Sequence, residues 1–370
     1  AALLTVVGLV AEARTGRCPR WLPVVLVAGP LVRYENAALS VPAMLLLAWR
    51  GHGRVATLSG VALAAGIGAF SAWLHAQGLG WLPTSVVAKS PPIAEGTVVS
   101  FLRNVSIGFA ERQAVPLALL GLASLAVAVD PLRPPPERGL GAWGASVAVA
   151  HFLAGRFGWY HRYEIYAWAA LLSSNTILHG RLLAGVLLRR RAAGLAMLAA
   201  ALFVLAFPYW HALYTLPAAS NNIHEQQHQM HRFAVAYWKA PVAVNDLGWV
   251  SYRNDEYVLD LWGLASRRAL EERRSNDPGD WMTELCASRN VKLAMIYENW
   301  LAGVPSAWIP LADLRLSRNR TSVARSSMTF FALDEDARDR AIPLLEAFEA
   351  DLPRGVKLRW REGWRASAEP

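Results

Sequence analysis

Charge is scarce in this chain. Only 18% of its 370 residues are Asp, Glu, Lys or Arg, against about a quarter in a typical water-soluble domain, and 54% are hydrophobic. That excludes a single soluble globule. Cysteine is scarcer still, with Cys18 and Cys286 alone, which excludes a disulfide-built secreted scaffold. The aliphatic runs exclude a disordered chain. Carboxylates are short in one part above all: residues 1–217 hold 17 Lys and Arg against 7 Asp and Glu, while 218–370 hold 20 against 21. The first part is therefore +10 and the second −1, which together give the net charge of +9. Its arginines punctuate apolar runs instead of clustering with aromatics on a soluble face, so they read as membrane topology signals and not as a nucleic-acid footprint.

What is present is a series of apolar runs. A membrane-spanning helix needs about 20 mostly apolar residues, and the candidates are 55–76, 114–130, 139–155, 164–179 and 193–214, several of them short for a full span. The chain opens inside another such run, AALLTVVGLV, with no initiator Met and no signal-peptide start, and is expected to be a fragment that lacks N-terminal helices. Residues 21–49 are long enough to span but carry Arg33, Glu35 and Asn36 at their middle, flanked by Pro23, Pro30 and Pro42. Lipid-facing charges at that depth are costly. The expected form is a re-entrant hairpin, two half-length helices meeting at a polar turn. With that hairpin, Arg14, Arg17, Arg20, Arg50, Arg54, Arg133, Arg138, Arg181 and Arg189–Arg191 all fall on one side, which the positive-inside rule makes cytoplasmic. Loops 77–113 and 156–163 and everything after about 218 then face outward. Cys18 and Cys286 lie on opposite sides and cannot pair.

After Pro217 the texture changes to short apolar runs alternating with charged stretches. Strands are expected at 240–246, 257–264, 291–297 and 327–333, and helices at 266–274, 280–289 and 334–350, with Asp334 near the start of the last. The expected architecture is a transmembrane helical domain over 1–217 followed by a small α/β or α+β extracytoplasmic domain over 218–370.

Several motifs carry chemistry, each beside a plainer reading. His224-Glu225-Gln226-Gln227-His228 has the HExxH spacing of zinc peptidases, in which two His one helical turn apart bind metal and the Glu acts as base. A polar helix outside a membrane is also rich in such residues for solvation alone. Lys89 stands isolated in an apolar loop, either snorkelling or neutralising a phosphate at headgroup level. Arg33 and Glu35 suit an ion pair pinning the hairpin turn. Trp159, Tyr160, His161, Arg162, Tyr163 and Glu164 suit an interfacial aromatic belt, or a site that stacks a sugar and holds a phosphate. Asp246 and Asp260 end strands and precede glycines, as ordinary turns do, yet such carboxylates can also accept sugar hydroxyls.

Taken in order, LVRYENAAL (31–39), GWLPTSVVAKS (80–90), GWYHRYEIY (158–166) and VAVNDLGWVSYRNDEYVLDLWGL (242–264) resemble the later helices and periplasmic domain of bacterial GT-C class membrane glycosyltransferases. The resemblance implies a multi-pass enzyme of the bacterial inner membrane that moves a sugar from a polyprenyl-phosphate donor to a cell-envelope glycan or lipid acceptor at the periplasmic face. It places Arg33 and Glu35 at an Arg-x-Glu turn, Lys89 at a loop lysine, Arg162 and Tyr163 at an Arg-Tyr pair, and Asp246 and Asp260 at paired strand ends. The polyprenyl phosphate is then the leaving group, with Lys89, Arg162, Arg33 and His161 as its expected cationic partners and Glu35, Tyr163, Trp159, Asp246 and Asp260 as substrate contacts. No obligatory metal is expected, though some relatives use a divalent ion. The catalytic carboxylate of the class lies on a first external loop, and nothing like it precedes Arg14, so the base is expected upstream of Ala1. Two other readings stay open: a membrane zinc peptidase using His224, Glu225 and His228, and a non-enzymatic transporter or scaffold.

Overall fold

In the computed structural model of the chain, which describes residues 1–90, 95–189, 191–275, 280–301 and 303–361, contacts divide the polypeptide into Ala1–Ala212 and Leu213–Pro370. The division falls a few residues before the expected boundary at 217/218. It also falls inside a helix, not in a linker.

The first unit is helical: α1 (Ala2–Thr15), α2 (Leu22–Val32), α3 (Ala37–Trp49), α4 (Gly53–Ala76), α5 (Thr84–Lys89), α6 (Val98–Phe109), α7 (Ala114–Val129), α8 (Pro135–Ala154), α9 (Ile165–Leu178), α10 (Gly180–Arg189) and the start of α11 (Arg191–Glu225). Two helical stretches, Gly53–Ala76 and Ala192–Trp238, are long and apolar enough to cross a membrane, and α6 with α7 would make a third if that pair, bent by 112°, counts as one span. The expected break in 21–49 is present. Pro23 sits in the first turn of α2, and the helix ends where Arg33 turns extended before a 3₁₀ turn at Tyr34–Asn36. The Asn36 side chain donates to the Gly29 carbonyl at 3.0 Å, which satisfies one of the groups freed by the break. The core runs through Leu22, Leu26, Leu39, Leu47, Trp143 and Leu171, all essentially buried. α7 and α8 approach so closely that a Cβ at Gly141 would stand 2.6 Å from the Ser124 carbonyl oxygen, so only glycine fits there. At one end of the unit the buried Glu12 carboxylate meets Arg50 at 2.5 Å and His52 at 3.1 Å, which ties α1 to the α3–α4 junction.

The second unit holds α11's last turns, α12 (Gln227–Arg232), a π-helical turn (Phe233–Trp238), and a six-stranded mixed sheet. Its strands are β1 (Val242–Val244), β2 (Val258–Asp260), β3 (Leu293–Ile296), β4 (Ile309–Arg315), β5 (Ser327–Ala332) and β6 (Lys357–Trp360), in the order β2-β1-β3-β5-β4-β6. β2, β1 and β3 run parallel and the other pairings are antiparallel. Helices α13 (Arg267–Ser275), α14 (Trp281–Ala287) and α15 (Glu335–Ala350) complete it. Side chains alternate across the strands. Val242, Val244, Leu293 and Met295 face Phe330 and Phe348, whereas Ala243, Ala294 and Ile296 face Leu285 and Cys286 on the opposite layer. Asp334 caps α15 by accepting the Ala337 N–H at 2.8 Å, as expected. All four expected strands are present; β4, β6 and the helix α6 inside the supposed outer loop were not foreseen.

A basic cavity as the candidate functional site

Four cations from separate segments of the first unit converge on one cavity of about 1160 Å³: Arg33, Lys89, Arg156 and Arg162. Each arrives for a local reason. Arg33 is the extended residue at the α2 break, with its guanidinium 3.3 Å from Glu35 and donating to the Arg162 carbonyl at 3.1 Å. Lys89 closes the short helix α5 that starts after Pro83. Arg156 follows Gly155, where a Cβ would run into the His151 imidazole and block the tight exit from α8. The Asn104 side chain donates to the carbonyls of Phe152, Leu153 and Gly155 at 2.9–3.2 Å, which caps that helix end.

Arg162 and Tyr163 are delivered by an unusual turn. Gly158, Trp159, Tyr160 and His161 all have left-handed backbone conformations, with φ of 89°, 52°, 62° and 57°. Three non-glycine residues in a row in that region cost of order 1–2 kcal/mol each, and such strain persists only where surroundings enforce it. The fully buried Glu164 does so: one carboxylate oxygen accepts the Gly158 N–H at 3.2 Å and the other lies 3.1 Å from His161 Nδ1. His161 also lies 2.6 Å from the Gln113 side-chain nitrogen, and its ring stands edge-on to Tyr209.

The cavity thus gathers four positive side chains and one carboxylate, Glu35, among the described residues. Arg162 donates to the Tyr163 hydroxyl at 3.2 Å and lies over its ring. Ser90 presents a buried hydroxyl with no partner among the described residues. Most of the remaining wall is apolar, with Leu31, Val32, Val41, Ile67, Phe70 and Val86 along it.

The structure therefore brings together Arg33, Glu35, Lys89, Arg162 and Tyr163 of the expected site. His161 does not join them, because its ring is engaged with Glu164 and Gln113 as a support of the turn. Trp159 points outward, 55% exposed, and does not line the cavity. Sequence reasoning missed Arg156, Tyr34 and Tyr166. Arg156 is one of the two arginines of residues 156–163, and nothing local in the sequence marks it as different.

Asp246 and Asp260 belong to the second unit. Asp260 is not free for a ligand: its buried carboxylate accepts the N–H groups of Trp262, Gly263, Leu264 and Ala265 at 2.9, 3.1, 2.5 and 2.7 Å. It folds the loop after β2 around itself, and Arg273 lies 3.8 Å over Trp262 to close that loop. Asp246, at the end of β1, is different. It accepts one hydrogen bond, from Gln227 Nε2 at 2.9 Å, and the Gln227 carbonyl oxygen beside it is buried without a partner among the described residues. The Gln227 amide also reaches the Tyr297 hydroxyl at 3.1 Å. Burial pushes the Asp246 carboxyl above its ordinary range, the Gln227 bond opposes this, and the Asp260 carboxylate adds to it. Burial and then Asp246 push the Tyr297 phenol upward.

A carboxyl raised by folding favours the native state when protonated, and that advantage fades as pH rises through its folded value. Asp246→Asn should therefore slow hydrogen exchange of the β1–β3 amides at pH 7 and make little difference below about pH 4, near an unperturbed Asp pKa. Equal protection of both proteins at pH 7 would contradict this.

In the HExxH segment, Glu225 is engaged in holding the fold. Its carboxylate accepts from the Ser317 backbone N–H at 2.9 Å and hydroxyl at 2.5 Å, and from Asn221 at 2.6 Å. The His224 and His228 rings stack on each other, with centroids 5.1 Å apart. Among the described residues no three His, Cys, Asp or Glu side chains are grouped to hold a metal.

A protein family described as a domain of unknown function (DUF8728) matches residues 221–331. That segment takes in Glu225, Asp246 and Asp260 but none of the cavity residues. No curated protein and no solved structure matches the chain.

Proposed function

We propose that the chain is a multi-pass membrane glycosyltransferase that binds a polyprenyl-phosphate-linked sugar in the basic cavity and passes the sugar to a cell-envelope acceptor on the extracytoplasmic face, in a bacterial cytoplasmic membrane with the second unit outside. One observation carries the reading: Arg33, Lys89, Arg156 and Arg162 share one cavity with a wall that is otherwise mostly apolar. An anionic head on a long hydrocarbon tail fits that division. The volume supports it, because about 1160 Å³ exceeds the ~300–1,000 Å³ of ordinary small-molecule pockets. The motif order described above supports it as well.

In such a transfer an acceptor hydroxyl attacks the anomeric carbon, the sugar–phosphate C–O bond breaks, and polyprenyl phosphate departs with the electron pair. Cations fixed in a site of low polarity stabilise the charge that develops on the leaving phosphate. Lys89, Arg156 and Arg162 suit that task best, since none of them has an ion-pair partner among the described residues, whereas Arg33 is paired with Glu35. Glu35 in turn orients Arg33, so we assign the proton acceptor to no residue of the cavity.

The test is binding and transfer by the full-length protein in lipid nanodiscs. It should bind polyprenyl phosphate well and the corresponding uncharged polyprenol poorly, and, given a hydroxyl-bearing cell-envelope acceptor, should release polyprenyl phosphate from the sugar-loaded donor as the sugar passes to that acceptor. Equal affinity for phosphate and alcohol would overturn the reading.

A further inference from the structure

Helix α6 carries an apolar face that the protein leaves open. Val98, Val99 and Leu102 are 75%, 71% and 61% exposed, and Phe109, whose ring stacks on Phe152, is still 49% exposed. At 100° per residue, 98, 99, 102 and 109 share one arc of the helix. Ser100 and Gly108 are buried on the other side, with Asn104 there bonded to the end of α8. The helix is anchored at its N-terminus by Thr97, whose hydroxyl accepts the Ser100 N–H at 3.1 Å. Its one cation, Arg103, is paired with Glu95 at 2.7 Å.

We propose that α6 lies in the plane of the membrane, with this face in the boundary between lipid headgroups and acyl chains. A helix of 12 residues is about 18 Å long, too short to cross ~30 Å of hydrocarbon. After a short connection the chain turns by 112° into α7, which is apolar along its length. With α7 along the bilayer normal, as the proposed embedding has it, a helix bent from it by 112° lies close to the membrane plane with its apolar outer face against lipid. The contact is hydrophobic rather than an attraction to anionic lipid, because Arg103 is already neutralised. Asn104 joins α6 to the carbonyls directly before Arg156, so the bilayer surface also fixes the level of that guanidinium in the cavity. The inference rests on the membrane-embedded part of the proposed function and is independent of sugar transfer.

Depth-dependent quenching tests it. In full-length protein freed of its own cysteines, Cys18 and Cys286 among them, a bimane label is placed at Leu102→Cys or Val99→Cys, and at Val61→Cys on α4 as a control, in phosphatidylcholine nanodiscs. Lipids carrying a nitroxide at the headgroup or deep in the acyl chain supply the quencher. The two α6 positions should be quenched more by the headgroup nitroxide, and Val61 more by the deep one. If Val61 responds as expected but α6 is quenched by neither lipid, or as deeply as Val61, the in-plane assignment is overturned. If Val61 is also unquenched, the embedding of the first unit fails along with it. For the link to the cavity, Asn104→Ala should broaden the spin-label distance distribution between positions 102 and 156; an unchanged narrow distribution refutes that link.

Discussion

Lys89→Ala and Arg156→Ala are each expected to weaken polyprenyl-phosphate binding by about 10- to 100-fold, and to lower the rate of donor cleavage at least as much. A charge-assisted contact to a phosphate oxygen is about twice as strong as a neutral one. Removal of a single donor from a site that stabilises a developing anion costs roughly 10²–10³ in rate. Arg33→Ala should cost less through phosphate contact than through Glu35 and the Arg162 carbonyl, both of which lose their partner. The effects of Lys89 and Arg156 should fall short of multiplying, since both act on one anion. The measurement is a dissociation constant for polyprenyl phosphate in nanodiscs at fixed ionic strength, alongside donor turnover by the full-length protein. Wild-type affinity in both single variants would remove the phosphate assignment. Arg156→Ala is the more discriminating of the two, because the arrangement of the cavity alone points to it.

Asp260→Ala should be the most damaging single change in the second unit, costing on the order of 3–5 kcal/mol. Four backbone N–H groups converge on this carboxylate, and each buried donor left without an acceptor costs about 1–3 kcal/mol. The sum is reduced because the loop 262–265 can open to water. It cannot open freely, however, because Gly263 sits at a φ of 85° with its Cα packed against the Leu270 backbone, where a Cβ would stand 2.6 Å from the Leu270 nitrogen. Denaturant unfolding followed through the exchange of β2 and α13 amides would measure the loss. A change under about 1 kcal/mol would mean that Asp260 is available to a ligand after all. Asp260→Asn is expected to keep the loop partly closed, since its one amide oxygen can still accept.

The contrast between the two aspartates shows where sequence reading stops. Asp246 and Asp260 look alike in the chain, each at a strand end and each with a Gly shortly after. Only one is followed by backbone N–H groups that wrap back on it, and that depends on the path of the loop. Arg156 shows the same limit from the other side. In the sequence it is one charge among several between apolar runs, and it reaches the cavity because Gly155 and Asn104 shape the end of α8. Strand β4 escaped notice because a register shift between Pro310 and Ala312 breaks its alternation. Helix α6 was hidden by its mixed polar and apolar composition within a stretch read as loop.

The sequence by itself determined the division of the chain into an apolar, positively charged helical part and a near-neutral α/β part. It also determined the break at Arg33–Asn36, most of the strands, and five of the residues that line the cavity. These follow from short-range physics: the apolar period, the cost of charge in lipid, and the conformational demands of proline and capping residues. The tertiary structure decided which cations share a cavity, which carboxylates are engaged by backbone, and the left-handed turn that presents Arg162 and Tyr163. Those depend on contacts between segments far apart in the chain, where burial, hydrogen-bond saturation and backbone strain are set by the neighbours that the fold supplies.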